Sequence, residues 1–151
     1  MLCKYLTPFL ALFLFTPLFA QKVEPTYKHV SYGSHKDMKL NFWKIDSKKP
    51  TPLLVHIHGG GWLGGKKNET TSPSQLNQGY SYASIDYRLA GVELLPAAVH
   101  DAARAIQFLR TKAKEWNFDP KRIAVTGGSA GAASSMWLAY HDDMADPKSK
   151  D

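Results

Sequence analysis

Arg122-Ile123-Ala124-Val125-Thr126-Gly127-Gly128-Ser129-Ala130-Gly131 is the stretch whose reading decides the fold. Arg122 to Thr126 read as a buried strand, and the small, apolar run Ala132 to Tyr140 reads as a helix. Between them Gly127 to Gly131 spell G-x-S-x-G, and a strand before and a helix after are the context in which that motif has mechanical meaning. Ser129 is the candidate nucleophile. The turn must be so tight that a Cβ at either flanking glycine would collide with backbone, while the serine takes a strained conformation that lifts Oγ. The helix that follows adds free N–H groups and the positive end of its dipole, which favour negative charge beside the serine.

Working back from this turn, Val99, Ala102, Ala103, Ile106, Leu109, Ala113 and Trp116 recur every three or four residues, the period of a helix with one buried stripe. Pro96 fits its first position, where a missing N–H costs nothing. The chain then turns through Asn117-Phe118-Asp119-Pro120. Earlier, Pro52 to His58 and Tyr80 to Ile85 are compact apolar runs suited to strands covered on both faces. His29 to Tyr32 and Met38 to Ile45 read as two strands joined around Gly33-Ser34. Strands alternating with helices predict an α/β fold, a mostly parallel sheet with helices on both faces.

The strand ending at His58 runs directly into Gly59-Gly60-Gly61-Trp62. H-G-G-G after a strand is a loop that offers backbone N–H donors to an oxyanion. With both motifs present, the sequence resembles the α/β-hydrolase superfamily, in the esterase and lipase branch typified by hormone-sensitive lipase and by bacterial secreted carboxylesterases and xylan-side-chain esterases. Asp86-Tyr87-Arg88-Leu89, Leu95-Pro96-Ala97-Ala98 with Asp101, and Asp119-Pro120-Lys121-Arg122-Ile123 add to the resemblance. It covers roughly residues 28 to 145. It implies an oxyanion hole made by the N–H groups of Gly60, Gly61 and Ala130, each such donor worth about 3 kcal/mol in the transition state. It also implies an acyl-enzyme on Ser129 and motif support from His58, Gly59, Trp62, Gly127, Gly128 and Gly131. Gly128 stands where many relatives carry an acidic residue. The expected substrate is a small-molecule or carbohydrate ester, with no metal and no cofactor. Alternatives are a peptidase of the same fold and a non-catalytic hydrolase-fold binding protein.

In this fold the acid and then the histidine follow the nucleophile in chain order. His141 is the one histidine after Ser129, and twelve helical residues would carry it about 18 Å along the axis, too far for a base that must reach Oγ. Asp142, Asp143, Asp146 and Asp151 sit farther along in a polar tail, and His29, His35, His56, His58 and His100 all precede the serine. The expectation is a hydrolase domain over residues 21–151 that is C-terminally incomplete, holding the nucleophile and oxyanion half of a site.

Residues 1–20 carry Lys4, an apolar run from Phe9 to Phe15, then Pro17 and a small Ala20, the order of a secretory signal peptide. The run is shorter than the roughly 20 residues needed to span a bilayer, so no stable membrane span is expected after cleavage. The mature chain is expected in a periplasm or outside the cell. Cys3 falls within this leader, which excludes disulfides, thiolate zinc sites and cysteine catalysis from the mature chain.

Of the 151 residues 44% are hydrophobic and 21% charged, enough apolar content for a packed core. The net charge of +6 comes from scattered pairs, Lys48-Lys49, Lys66-Lys67 and Lys121-Arg122, and reads as solvated surface rather than a nucleic-acid footprint. Three local features compete with the hydrolase reading. Gly60 to Lys67 nearly forms a phosphate-binding loop, but Lys67 stands where a magnesium-binding hydroxyl is needed. His56-x-His58 could begin a zinc site, though no further ligand cluster follows. Asp86 and Arg88 suit a site, a buried ion pair or strand-end hydrogen bonds, and Asp101 suits the first turn of its helix. Trp62 suits a pocket wall or loop packing, and Asn68-Glu69-Thr70 is a glycosylation sequon.

Overall fold

The computed structural model describes residues 21–144. The leader and the last polar residues therefore lie outside the described part. Five strands form one sheet in the order β1-β2-β4-β3-β5: β1 (Tyr27–Ser31), β2 (Lys39–Trp43), β3 (Thr51–Ile57), β4 (Ser81–Ile85) and β5 (Phe118–Gly127). A four-residue helix α1 (Pro73–Leu76) lies between β3 and β4, α2 (Ala97–Trp116) follows β4, and α3 (Ala130–Tyr140) follows β5.

The sheet is mixed. β4, β3 and β5 run parallel, while β1 and β2 form an antiparallel hairpin that joins the sheet through antiparallel pairing of β2 with β4. Crossover connections allow parallel pairing, whereas the short turn around Gly33-Ser34 permits only a hairpin. β3 sits at the centre, its register with β5 placing Ile57 opposite Gly127 and its register with β4 placing Ile57 opposite Ile85. Three strand ends thus arrive together where the two glycine motifs begin.

Alternation decides which side of the sheet is core. Leu53, Val55 and Ile57 of β3, Leu40 and Phe42 of β2, and Ala83 and Ile85 of β4 all face α2 and are buried. The helix meets them with Ala98, Ala102, Ala105, Ile106, Leu109, Ala113 and Trp116. All seven residues of the stripe expected from periodicity are buried. Trp116 closes the far end of this core, stacking on Tyr27 at 4.6 Å and tilting against Phe42 at 4.6 Å. α3 packs on the same side, with Leu138 joining Ile123 and Val125 at the core margin. The opposite face carries Asn41, Trp43, His56, Tyr82 and Ser84, over which the segment Lys67 to Thr71 runs in extended form, bridged at Thr71 to Val23. The two long helices therefore share one face, and extended chain covers much of the other. β4 is buried along its whole length, but β3 alternates between buried and half-buried residues.

Three element boundaries differ from expectation. β5 begins at Phe118, not Arg122, because Phe118 pairs with Thr51 before the chain bulges out and the ladder resumes at Leu53 and Ile123. The expected turn survives inside that bulge, where the Asp119 carboxylate accepts from the Lys121 N–H at 2.9 Å. Pro96 is the residue before α2, not its first, and its carbonyl accepts from the N–H groups of Val99 and His100. α3 begins at Ala130, two residues earlier than the small-residue run suggested. Asn117 ends α2 in the left-handed conformation (φ 59°), donating its N–H to the Ala113 carbonyl. Among the described residues no helix is long and apolar enough to cross a membrane.

Candidate active site

Ser129 stands between β5 and α3 with φ 53° and ψ −120°, a left-handed φ that few non-glycine residues adopt. The surroundings enforce it. A Cβ at Gly127 or at Gly131 would fall inside the Ile57 carbonyl oxygen, so both glycines let the turn press against the end of β3. The Gly131 N–H donates to the Gly128 carbonyl at 2.9 Å and the Ala133 N–H to the Ser129 carbonyl at 3.0 Å, which ties the turn into the first turn of α3. Gly128 has open space at its Cβ position. Ala130, the first helical residue, is buried beside the serine, and the N–H of that position has no partner within its own helix.

The glycine loop after β3 meets this turn directly. A Cβ on Gly59 would lie 2.7 Å from the Gly128 carbonyl oxygen and 3.5 Å from the Ser129 Cβ. Gly60 (φ 105°), Gly61 (φ 62°) and Trp62 (φ 58°) follow, all left-handed, and the Gly60 carbonyl accepts from the Leu63 and Gly64 N–H groups at 3.0 and 3.1 Å. Successive left-handed residues coil the chain just after its contact with the serine turn at Gly59. Trp62 fastens the loop: its indole Nε1 donates to Ser134 Oγ of α3 at 3.1 Å, and its carbonyl accepts from the Ala90 N–H at 2.7 Å. It thus packs and ties, joining the loop to the helix behind the serine.

His58 braces the start of the loop. Its Nδ1 lies 2.8 Å from the Gly59 carbonyl, which can only accept, so Nδ1 carries the proton of that bond. Its ring stacks on Tyr87 at 4.2 Å, and the Tyr87 hydroxyl donates to the His58 carbonyl at 2.9 Å. Burial, then the nearby Asp86 charge, pushes the Tyr87 phenol up to about 12, so it stays a donor. His58 Nε2 faces Asp86 Oδ1 at 3.9 Å. His56, two residues earlier, approaches Ser84 Oγ through Nδ1 at 3.4 Å, and burial followed by the charge of His58 lowers its pKa. The two histidines have separate partners and do not converge on a common point.

Asp86 and Arg88 both enter ion pairs at the end of β4, each with a different partner. Arg88 grips Asp101 with Nε at 2.9 Å and Nη2 at 2.6 Å, and the Arg88 N–H donates to the same carboxylate. Asp101 is buried and lies past the first turn of α2, so it anchors the β4–α2 loop and does not serve the helix dipole. The hydrogen bonds that its guanidinium donates to Asp101 are the main reason the Arg88 pKa is raised. Asp86 belongs to another group: it takes the Lys67 N–H at 2.6 Å and the Lys67 ammonium at 3.2 Å. Lys67 is buried and also pairs with Glu69 at 2.7 Å, an arrangement foreign to a phosphate loop. Asn68 Nδ2 donates to the Tyr82 hydroxyl at 2.7 Å, so the sequon asparagine is engaged inside the fold. His141 caps the far end of α3 and stacks on Trp137 at 5.1 Å.

Sequence reasoning missed Lys67, Tyr87 and Ser134 as supports of this site. Lys67 was legible only as a misfit in another motif, and Ser134 lies on a helix whose small residues give no sign of which one meets Trp62.

Comparison with known proteins agrees with this geometry. A carboxylesterase of Mycobacterium tuberculosis is 33% identical over 114 residues, covering 73% of this chain and 36% of its own length. An arylesterase of Saccharolobus solfataricus is 37% identical over 120 residues, covering 69% of this chain and 39% of its own. The chain thus spans little more than a third of these relatives. Among solved structures, an acetyl ester-xyloside bifunctional hydrolase from Caldicellulosiruptor lactoaceticus superposes with a TM-score of 0.69 at 29% identity, over 85% of this chain and 52% of that one. A truncated carbohydrate esterase from gut microbiota gives a TM-score of 0.67 at 25% identity, over 74% and 41%. The BD-FAE family model matches residues 42–149, a span that opens in β2 and takes in the glycine loop, the serine turn and α3: the chain belongs to the BD-FAE family of the α/β-hydrolase superfamily.

Proposed function

We propose that this chain carries the nucleophile and oxyanion half of a serine carboxylic-ester hydrolase. The observation that carries the reading is the strained Ser129, set by Gly127 and Gly131 against the end of β3 with Gly59 at its Cβ. Ser129 Oγ attacks the ester carbonyl, and the carbonyl oxygen takes up negative charge facing the N–H groups of Gly60, Gly61 and Ala130. Collapse expels the alcohol and leaves an acyl-enzyme, which water hydrolyses to the acid and free serine.

A general base is needed for both steps. His141 sits beyond an 11-residue helix, about 17 Å of rise from its start, and both nitrogens of His58 are turned to other partners, Nδ1 to the Gly59 carbonyl and Nε2 to Asp86. Neither histidine is therefore placed to serve as that base among the described residues. Likeness to a carbohydrate esterase and to an acetyl ester-xyloside bifunctional hydrolase supports acetylated carbohydrates as the substrate class. Residues 1–20 act as a cleaved export signal, placing the enzyme where such polymers occur.

The test is hydrolysis of p-nitrophenyl acetate and of acetylated xylan by the full-length protein. Replacing Ser129→Ala is expected to lower turnover more than about a thousandfold while leaving the fold intact. Turnover at the wild-type level in that variant would sink the acyl-enzyme reading.

A further inference from the structure

Lys67 is the one buried lysine among the described residues, and its position is chemically expensive. An ammonium taken out of water needs compensation, and a methionine of similar length would fill the same space without that desolvation but would leave Asp86 without its cation. Its partners explain what the charge does. The Lys67 backbone N–H and its ammonium hold both oxygens of Asp86, at 2.6 and 3.2 Å, and the ammonium reaches Glu69 at 2.7 Å. That hydrogen bond holds the Glu69 carboxyl below the usual carboxylate range.

Asp86 is itself immobile. It directly follows β4, donates its N–H to the Lys39 carbonyl at 2.8 Å, and accepts on its own carbonyl from the buried Tyr32 hydroxyl. It also faces His58 Nε2 at 3.9 Å, and His58 holds the Gly59 carbonyl. The loop from Gly59 to Lys67 is therefore secured at three points: at its entry by His58 and Tyr87, at its middle by Trp62 on Ser134, and at its exit by Lys67 on Asp86, where the ammonium adds to the backbone N–H a tie that a substitution can remove. Between entry and exit lie three left-handed glycines, Gly60, Gly61 and Gly65, whose backbones resist displacement least. Without its exit point the coil could unwind from one side.

We propose that Lys67 is a positioning residue for ester hydrolysis: paired with Asp86, it clamps the exit of the glycine loop so that the Gly60 and Gly61 amides stay aimed at the oxyanion above Ser129. The proposal rests on the esterase reading for its catalytic consequence, but the clamp itself has a structural readout that needs no turnover.

The experiment compares Lys67→Met and Lys67→Arg in the full-length protein by amide hydrogen exchange and by steady-state kinetics on p-nitrophenyl acetate. The Leu63 and Gly64 amides, which close the loop on the Gly60 carbonyl, report on the clamp, and the Leu109 amide in α2 reports on the fold. In Lys67→Met the loop amides are expected to exchange about tenfold faster or more, with Leu109 unchanged. The same variant should lose about 10- to 100-fold in kcat with KM within about threefold, as for a misaimed group, and Lys67→Arg should restore most of both. Unchanged loop exchange in Lys67→Met overturns the clamp. Equal acceleration at Leu109 also overturns it, since the ion pair would then support the whole fold. Loss of kcat in Lys67→Met that Lys67→Arg does not restore, with loop exchange normal, overturns it too. Wild-type turnover in Ser129→Ala would remove the esterase reading alone, and the exchange comparison would still decide the clamp.

Discussion

At Gly131 the hydrogen in place of a side chain is what lets α3 start against the end of β3. A methyl group there would meet the Ile57 carbonyl oxygen head on and crowd the His58 carbonyl at 2.9 Å, and backbone atoms cannot swing aside as a flexible side chain can. Gly128, three residues earlier, has nothing near its Cβ position and no left-handed φ. The two glycines of one motif should therefore respond in opposite ways. Gly131→Ala is expected to cost about 1–3 kcal/mol of stability by overpacking, whereas Gly128→Ala should stay within about 0.5 kcal/mol of wild type. Urea unfolding of both variants checks this, and equal losses would mean that the turn is not pressed against β3.

Elements are set in place by a few polar ties added to the apolar core. α2 is positioned lengthwise by its alanine-rich stripe on β3 and β4, but small side chains alone permit sliding. Arg88 prevents it, because its fork and its N–H all converge on the buried Asp101. Asp101→Ala would leave the partly exposed guanidinium without its buried partner and free the loop from Leu89 to Pro96. A loss of about 2–3 kcal/mol is expected, less than for a fully enclosed pair because Arg88 keeps some solvent contact and its second partner Glu93 at 2.8 Å. A thermal or urea denaturation series gives the value, and a loss below about 0.5 kcal/mol would assign the pair to the surface class. β5 shows the complementary case. Its bulge after Phe118 absorbs Asp119-Pro120 without breaking the ladder, since proline has no N–H to donate and suits an unpaired position.

Over the whole molecule, the sheet gathers the ends of β3, β4 and β5 at one rim, where the serine turn, the glycine loop and the Asp86 group all sit. This follows from parallel pairing, which points successive strands the same way and collects the loops after them. The described part also exposes Met136, Trp137 and Tyr140 along the outer side of α3, and β5 has a strand neighbour on one side only. An export signal makes a prediction at this scale. Full-length protein recovered from the medium or periplasm of its host should begin at Gln21 when its N-terminus is sequenced. A start at Met1 in the exported protein would show that residues 1–20 are retained.

By itself the sequence determined the local architecture: the strand–turn–helix at Ser129, the glycine loop after β3, and the buried stripe of α2. These are legible because short-range sterics and side-chain periodicity act within a few residues, where G-x-S-x-G or an i, i+3, i+4 pattern has few alternatives. The start of α3 at Ala130 and the first pair of β5 at Phe118 escaped the sequence, because each depends on contact with β3 across the sheet. Tertiary structure alone decided which charges pair. Asp86 and Arg88 are two residues apart on the same exit from β4, yet one turns to Lys67 and the other to Asp101. Alternation in an extended chain would put residues two apart on one side, so what each one meets depends on where a distant loop and helix come to rest, and no periodic signal in the sequence carries that information.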